Sequence, residues 1–270
     1  MCLPFSDHCE PLVSEPGELD TLLNSLQAEC ERQSCGYAEV RPLLAVNNAA
    51  SFRPSCSYWF HELDLTPSLD EIACKLHGNS FQRKIRRAER EHLCYEAGNS
   101  ETLLDAFYRL LLLTRRRHQL LPQPRRWFQN LLQCMGHKLQ IRVARKDGVP
   151  IAAMLTLRHK SSVVYKYGCS DDRFHNLGGM PFLFWKLVDE SKATGAKFID
   201  LGRTDRHNDG LATFKDRLGA NRKLLTYYRY TKAPKRIRRV ERSHAIRQFL
   251  SILPASLSVT AGRLLYRHMG

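Results

Sequence analysis

Between Leu139 and Tyr230 the hydrophobic period changes from two to about 3.6, and this change restricts the available folds more than any other feature of the sequence. Leu139–Ala144, Ile151–Arg158 and Ser162–Cys169 read as three strands in series. Asp147-Gly148 makes a tight turn between the first two, and His159-Lys160-Ser161 links the second pair, so the three form an antiparallel meander. A helix from Pro181 to about Ala193 follows, then a buried strand Lys197–Leu201, a helix from about Gly210 to Leu218, and a last strand Lys223–Tyr230. Two amphipathic helices precede the meander. Ser100 caps the first, whose inward stripe is Leu103, Phe107, Leu110, Leu111 and Thr114; the second, Pro124 to Met135, carries Trp127, Phe128 and Leu131. The order ααβββαβαβ specifies an α/β (α+β) fold, a mixed sheet flanked by helices.

Upstream, Leu22, Leu23, Leu26 and Ala28 suggest a short helix, and Tyr37–Leu44 and Tyr58–Leu65 read as strands, the second stopped by Thr66-Pro67-Ser68. One helix and two strands are half a domain. From Leu69 to Glu91 two helices flank Gly78-Asn79. The second carries Arg83, Lys84, Arg86, Arg87 and Arg90 almost all round it, as a solvated face or as a binding surface for an anion.

The net charge of +15 is unevenly placed: the segment to Glu71 is acidic and the chain after Phe214 strongly basic. Nucleic acid, anionic lipid and phosphorylated substrates all answer to such a field, as does a solvated basic face. The nine cysteines form no C-x-x-C pair and no Cys/His metal spacing, which argues against a metal site and for a reduced, cytosolic protein. No apolar run approaches the roughly 18 to 20 residues of a membrane span. After Tyr230, Lys232, Lys235, Arg236, Arg238, Arg239 and Arg242 precede Ile246, Phe249, Leu250, Ile252 and Leu253. This basic, amphipathic stretch is either a peripheral contact with an anionic inner membrane or a docked terminal helix.

Three motifs sit at the joints of the sheet: Tyr165-x-Tyr167-Gly168-x-Ser170-Asp171, Asp200-Leu201-Gly202-Arg203-Thr204, and Asn208-x-Gly210-Leu211-x-x-Phe214-Lys215-x-x-x-Gly219. With the element order they resemble the GNAT superfamily, in particular its Fem-like branch with a BioF2-like acetyltransferase domain, which serves peptidoglycan and exopolysaccharide synthesis. The resemblance implies an acyl or aminoacyl transferase. Its donor is acyl-CoA, an acyl-carrier protein or aminoacyl-transfer RNA as co-substrate, with no tightly bound cofactor. Its acceptor is an amine-bearing envelope precursor. It further implies donor binding at Asn176, Gly178 and Gly179, where free amides meet a positive helix end; the two glycines alternatively only make a turn. Lys215, beside Phe214, is placed near the reacting carbonyl to stabilise an oxyanion, or is a surface lysine. Asp200 orients the attacking amine or pairs with Arg203. Tyr165 and Tyr167, alternating with Lys166, are expected on one strand face, donating to the acceptor or packing. Tyr167 is grouped with the catalytic residues; Tyr165, Arg203, Phe214 and Asn208 with substrate binding.

Direct attack by the amine is favoured, because the chain has no G-x-S-x-G elbow. A Cys169–His175 nucleophile is an alternative. Leu3–Leu12 resembles a segment well inside Fem-like proteins, and Phe81-x-x-Lys84-Ile85-Arg86-Arg87-Ala88 their interdomain helix. The implied organisation is a partial GNAT-like domain over residues 1–95, beginning partway through it, a transferase domain over 96–231, and the basic tail over 232–270. A noncatalytic relative serving as a scaffold and a nucleic-acid-binding protein are the rival readings.

Overall fold

The structure, a computed structural model, describes residues 6–44 and 51–232 together with Thr260 and Gly262. Apart from those two residues, the basic tail beyond Lys232 lies outside the described residues, as does the segment Leu3–Phe5. In chain order the elements are α1 (Pro16–Arg32), β1 (Ala38–Val40), β2 (Arg53–Asp64), α2 (Leu69–Lys75), α3 (Arg83–Arg90), β3 (Cys94–Gly98), α4 (Glu101–Arg117), α5 (Arg125–Met135), β4 (Leu139–Lys146), β5 (Val149–His159), β6 (Ser162–Ser170), α6 (Gly179–Ala193), β7 (Phe198–Asp205), α7 (Asp209–Asp216) and β8 (Asn221–Tyr230).

The described chain forms two compact units. The smaller comprises residues 6–44, 51–61, 203–212 and 222–232; the larger comprises 62–202 and 213–221 with Thr260 and Gly262. This division cuts across the segments 1–95 and 96–231, because β8 returns to pair antiparallel with β1, Tyr230 opposite Ala38.

In the larger unit the strand order is β7-β6-β5-β4-β3. The meander forms as its turns dictate: Asp147 and Gly148 both take positive φ, as a two-residue hairpin turn requires. Both faces of this sheet are covered, so β5 is buried along most of its length. Ala152 and Met154 face a cluster with Leu183, Leu187 and Val188 of α6 and with Ile72, Ile85 and Ala88 of α2 and α3. Their neighbours Ala153 and Leu155 face Leu104, Phe107, Leu110 and Leu111 of α4 and Phe128 of α5. Local signals set the helix starts. Ser68 and Glu71 form a reciprocal capping box on α2, and the Ser100 hydroxyl accepts the Leu103 amide at 3.2 Å on α4.

In the smaller unit the order is β1-β8-β2. Leu23 of α1 and Phe52 form its buried centre with Leu19, Leu26, Val40 and Tyr228 around them.

Several expectations need correction. The first helix runs from Pro16 to Arg32, longer than its apolar stripe suggested, because Glu15 and Glu18 form a capping box ahead of a proline start. The first strand is shorter, three residues at β1. The structure adds β3, which pairs antiparallel with β4 from Cys94–Arg145 to Gly98–Ile141. As an edge strand with mostly exposed side chains it has no apolar period to read. Tyr165 and Tyr167 lie on opposite faces. Between Leu155–Tyr167 and Thr156–Tyr165 the register slips by one residue, a β-bulge at Lys166 that reverses the alternation.

Candidate active site

β6 and β7 run parallel and pair over three rungs, Ser162–Val164 with Phe198–Asp200. Asp200 is thus the last residue of β7 in this ladder, and Tyr165 is the first of β6 beyond it. The bulge at Lys166 begins at the same place and turns the continuing strand. Side chains at such a parting of parallel strands are well placed to line a site.

The groups gathered there belong to one peptide. Gly202 takes φ +70, a left-handed conformation that favours glycine. Its N–H donates to Asp200 Oδ1 at 2.6 Å, and its carbonyl accepts from Lys215 Nζ at 3.0 Å. Both side chains are buried, Asp200 at 8 % exposure and Lys215 at 3 %. A carboxylate and an ammonium out of water are costly unless bonded, and the Gly202 peptide bonds both. The sequence alternative of a surface lysine at 215 is therefore corrected.

Aromatic rings line the same unit. Tyr165 packs on Phe184 at 4.8 Å between centroids, Phe184 on Phe214 at 5.7 Å, and Phe214 on Phe81 at 5.4 Å. Tyr165 and Phe214 are thus linked through Phe184, a residue of α6 with no sequence signal beyond its place in an apolar helix. The Tyr165 hydroxyl folds over Gly168, where a Cβ would stand 1.7 Å from it; burial raises the phenol's pKa. Tyr167 instead packs against Phe107 and Phe128 on the other face of the sheet, at 6.4 and 5.2 Å.

The glycine loop is closely packed. Gly178 has φ +79, and a Cβ there would meet the Lys84 carbonyl oxygen at 2.4 Å; at Gly179 it would meet Ala152 Cβ at 2.9 Å. The backbone of α3 thus occupies the space over Gly178, and β5 that over Gly179. Pro181, lacking an N–H, removes one of the amides a helix start would offer. Asn176 is exposed on the short 3-10 turn before the loop.

Cys169 and His175 turn to different partners. The buried Cys169 thiol lies 3.5 Å from the carbonyls of Phe107 and Ala153, and burial raises its pKa, the opposite of what a nucleophilic thiol needs. His175 Nε2 lies 2.8 Å from Ser170 Oγ; burial, and then the charge of Arg117, hold its pKa below the usual histidine value.

Two expected residues fall in the smaller unit. Arg203 stacks over Tyr58 at 4.4 Å, donates from Nη1 to Tyr227 Oη at 2.7 Å, and lies 3.6 Å from Asp7. Burial pushes the Tyr227 phenol up to about 12. Asn208 Oδ1 accepts the Leu211 amide at 3.1 Å, a helix cap on α7, and its side chain is exposed.

The larger unit holds a further cavity of about 730 Å³, lined by Gln140, Arg142, Thr156, Lys160 and Glu190 among others. Arg142 on its wall is bonded to Glu190 Oε2 at 3.0 Å, Thr156 Oγ1 at 2.7 Å and Gln140 Oε1 at 2.6 Å. Sequence reading missed this network, because an arginine within an apolar strand has no local signature. Among the described residues no His, Cys, Asp and Glu side chains gather into a metal-binding group, and no helix is long and apolar enough to cross a membrane.

Comparison with known proteins agrees with this fold. The family model for the acetyltransferase (GNAT) domain matches residues 77–216. The UDP-N-acetylmuramoylpentapeptide-lysine N(6)-alanyltransferase of Weissella viridescens is 26 % identical over 158 residues, 57 % of this chain and 46 % of the relative. The chain spans about half the length of that curated relative. The crystal structure of FemX superposes with a TM-score of 0.68 at 14 % identity, over 85 % of this chain and 82 % of that one. The C-terminal domain of a putative lysylphosphatidylglycerol synthetase from Agrobacterium fabrum gives 0.59 at 16 %, over 80 % and 74 %. At such identities the two structures speak to fold alone. The matched domain, which covers more than half of the chain, and the expected order of elements make this chain a member of the GNAT acetyltransferase family.

Proposed function

We propose that the protein transfers an activated acyl or aminoacyl group to an amine of a cell-envelope or polysaccharide precursor by direct attack. The observation that carries this reading is the Gly202 peptide, held by Asp200 on one side and Lys215 on the other where β6 and β7 part. In the proposed step the amine nitrogen attacks the donor carbonyl carbon, and the carbonyl electrons move to oxygen. Lys215 supplies the positive charge that stabilises this oxyanion, an interaction stronger in the transition state than in the ground state. Asp200 orients the amine. The carbonyl reforms, the bond to the carrier breaks with its electrons on the carrier's oxygen or sulfur, and the proton released from the nitrogen passes through solvent to the departing carrier. Tyr165 and Phe214 give the site an apolar wall that strengthens these interactions by excluding water. Tyr167 serves this reading as packing on the far face of the sheet, and Arg203 and Asn208 as supports of the smaller unit and of α7.

The tight packing over Gly178 and Gly179 favours an aminoacyl carrier over acyl-CoA, whose pyrophosphate needs open amides at a helix start. The name of the Weissella relative, an alanyltransferase acting on a lysine N(6), supports an aminoacyl donor and an amine acceptor. The test is mass spectrometry of candidate amine acceptors after incubation of the full chain with acyl-CoA, acyl-carrier and aminoacyl-transfer RNA donors. A mass increment from an aminoacyl donor is expected. No increment from any donor would leave the noncatalytic scaffold as the reading.

A further inference from the structure

We propose that the cavity at the C-terminal end of α6 binds a small phosphorylated molecule, at a site separate from the candidate active site. The cavity, about 730 Å³, falls within the range of about 300–1,000 Å³ usual for small-molecule sites. Its wall is polar: among the described residues Ala97 and Val163 are the only apolar side chains lining it, and Glu190 is the only acidic one. Glu190 is already neutralised, since its two oxygens accept from Tyr95 Oη at 2.5 Å and Arg142 Nε at 3.0 Å. The negative end of the α6 dipole is covered as well: Arg158 Nη2 donates to the Thr194 carbonyl, and the Thr194 hydroxyl donates to the Glu190 carbonyl at 2.8 Å. Lys138 and Lys160 remain. Both line the cavity, both are exposed, and neither has an acidic partner within ion-pair distance among the described residues.

A second observation points to a ligand. Ser191 lines the same cavity, is 2 % exposed, and its hydroxyl has no hydrogen-bond partner among the described residues. A helical serine often turns its hydroxyl back to the carbonyl one turn earlier, and a buried hydroxyl left without a partner is costly. It shares the cavity with a fixed cation: Arg142, 4 % exposed, is held by Glu190, Thr156 and Gln140. A fixed guanidinium, an unused hydroxyl donor and two unpaired ammonium groups match a compact ligand with several acceptor oxygens and at least two negative charges. A phosphate group supplies both. A nucleic acid is a poorer occupant, because no Phe, Tyr or Trp ring lines the cavity for a base to stack on, and a lipid finds no apolar wall for its chains. Phe184, the ring that packs on Tyr165 and Phe214, stands two turns earlier on α6, about 10.5 Å along the axis from Ser191. Binding in the cavity therefore involves neither Lys215 nor Asp200, and it does not rest on the transferase reading.

The test is isothermal titration calorimetry of the full chain with sodium pyrophosphate, at fixed pH and an ionic strength of about 150 mM, where weak attraction to exposed charges is screened. The wild type is expected to bind one pyrophosphate with a Kd below about 1 mM, and citrate at least about tenfold more weakly. K138Q/K160Q should weaken pyrophosphate binding by about tenfold or more, the loss usual for a charged hydrogen bond. R83Q/R86Q, which removes the same charge from the exposed face of α3, should stay within about twofold of wild type. S191A should also weaken binding, yet leave the urea midpoint of the unliganded protein unchanged or higher, because its hydroxyl bonds nothing in the protein. A serine with a purely structural role would show the reverse, a lower midpoint at unchanged affinity. A wild type that binds no pyrophosphate, an equal loss in the two double variants, or wild-type affinity in S191A overturns the proposal. Citrate binding as tight as that of pyrophosphate overturns the phosphate assignment. None of these readouts uses transfer, so the site and the transferase reading fail separately.

Discussion

Gly178→Ala separates a structural loop from a donor cradle. The φ of +79 strains any residue with a Cβ, at a cost of about 1–2 kcal/mol. The added methyl would also stand 2.4 Å from the Lys84 carbonyl oxygen, a backbone atom that can yield only if α3 shifts. Overpacking of this kind costs a further 1–3 kcal/mol or so. The total, about 2–5 kcal/mol, is well above the effect of most surface substitutions. Urea unfolding followed by circular dichroism should show a lower midpoint at unchanged slope, and the melting temperature should fall by roughly 4–20 °C for a unit of this size. An unchanged midpoint with a raised donor KM would mean that the space over Gly178 is open to a ligand.

Further outcomes follow from other parts of the molecule. Phe128→Ala should cost about 3–5 kcal/mol in the same unfolding assay, because the ring is wholly buried between Phe107, Tyr108 and Tyr167. Cys169→Ala should leave transfer unchanged, and the native thiol should resist iodoacetamide while the exposed Cys74, Cys94 and Cys134 react; abolished transfer would restore a thiol nucleophile. His175 should titrate below 6.5 by NMR. Folded His175 holds its proton less tightly than the unfolded chain does, so its contribution to stability is full above about pH 6.5 and declines as the pH falls toward its folded value. Replacing Arg117 by Gln, which removes the second cause of the shift, should move the titration upward.

Much of this molecule was legible before its structure. The meander and the helices after it announce themselves by period, because each buries a defined face and each turn carries residues with the required dihedrals. What escaped was non-local. The bulge at Lys166 depends on how β5 and β6 register, and no residue marks it, so strict alternation puts Tyr165 and Tyr167 on one face. The edge strand β3 is polar, and polar edges resemble loops. Asp200 and Lys215 stand out in the sequence as candidates for a site, whereas their convergence on the Gly202 peptide depends on the positions of β7 and α7 in space. The Gly178-Gly179 dipeptide left a turn and a cradle open, and only the approach of α3 shows what fills the space above it.

In the proposed mechanism Lys215 stabilises the charge that develops during transfer. The most direct measurement of this is kcat of Lys215→Met against wild type with the donor and acceptor identified by mass spectrometry, each protein held the same interval below its own melting midpoint. That interval allows for the 1–3 kcal/mol or so that an unsatisfied Gly202 carbonyl would cost. A fall in kcat of about 10²–10³ is expected, the loss typical of one oxyanion-stabilising group, with Lys215→Arg less affected. A Lys215→Met enzyme that turns over within about threefold of wild type would contradict it.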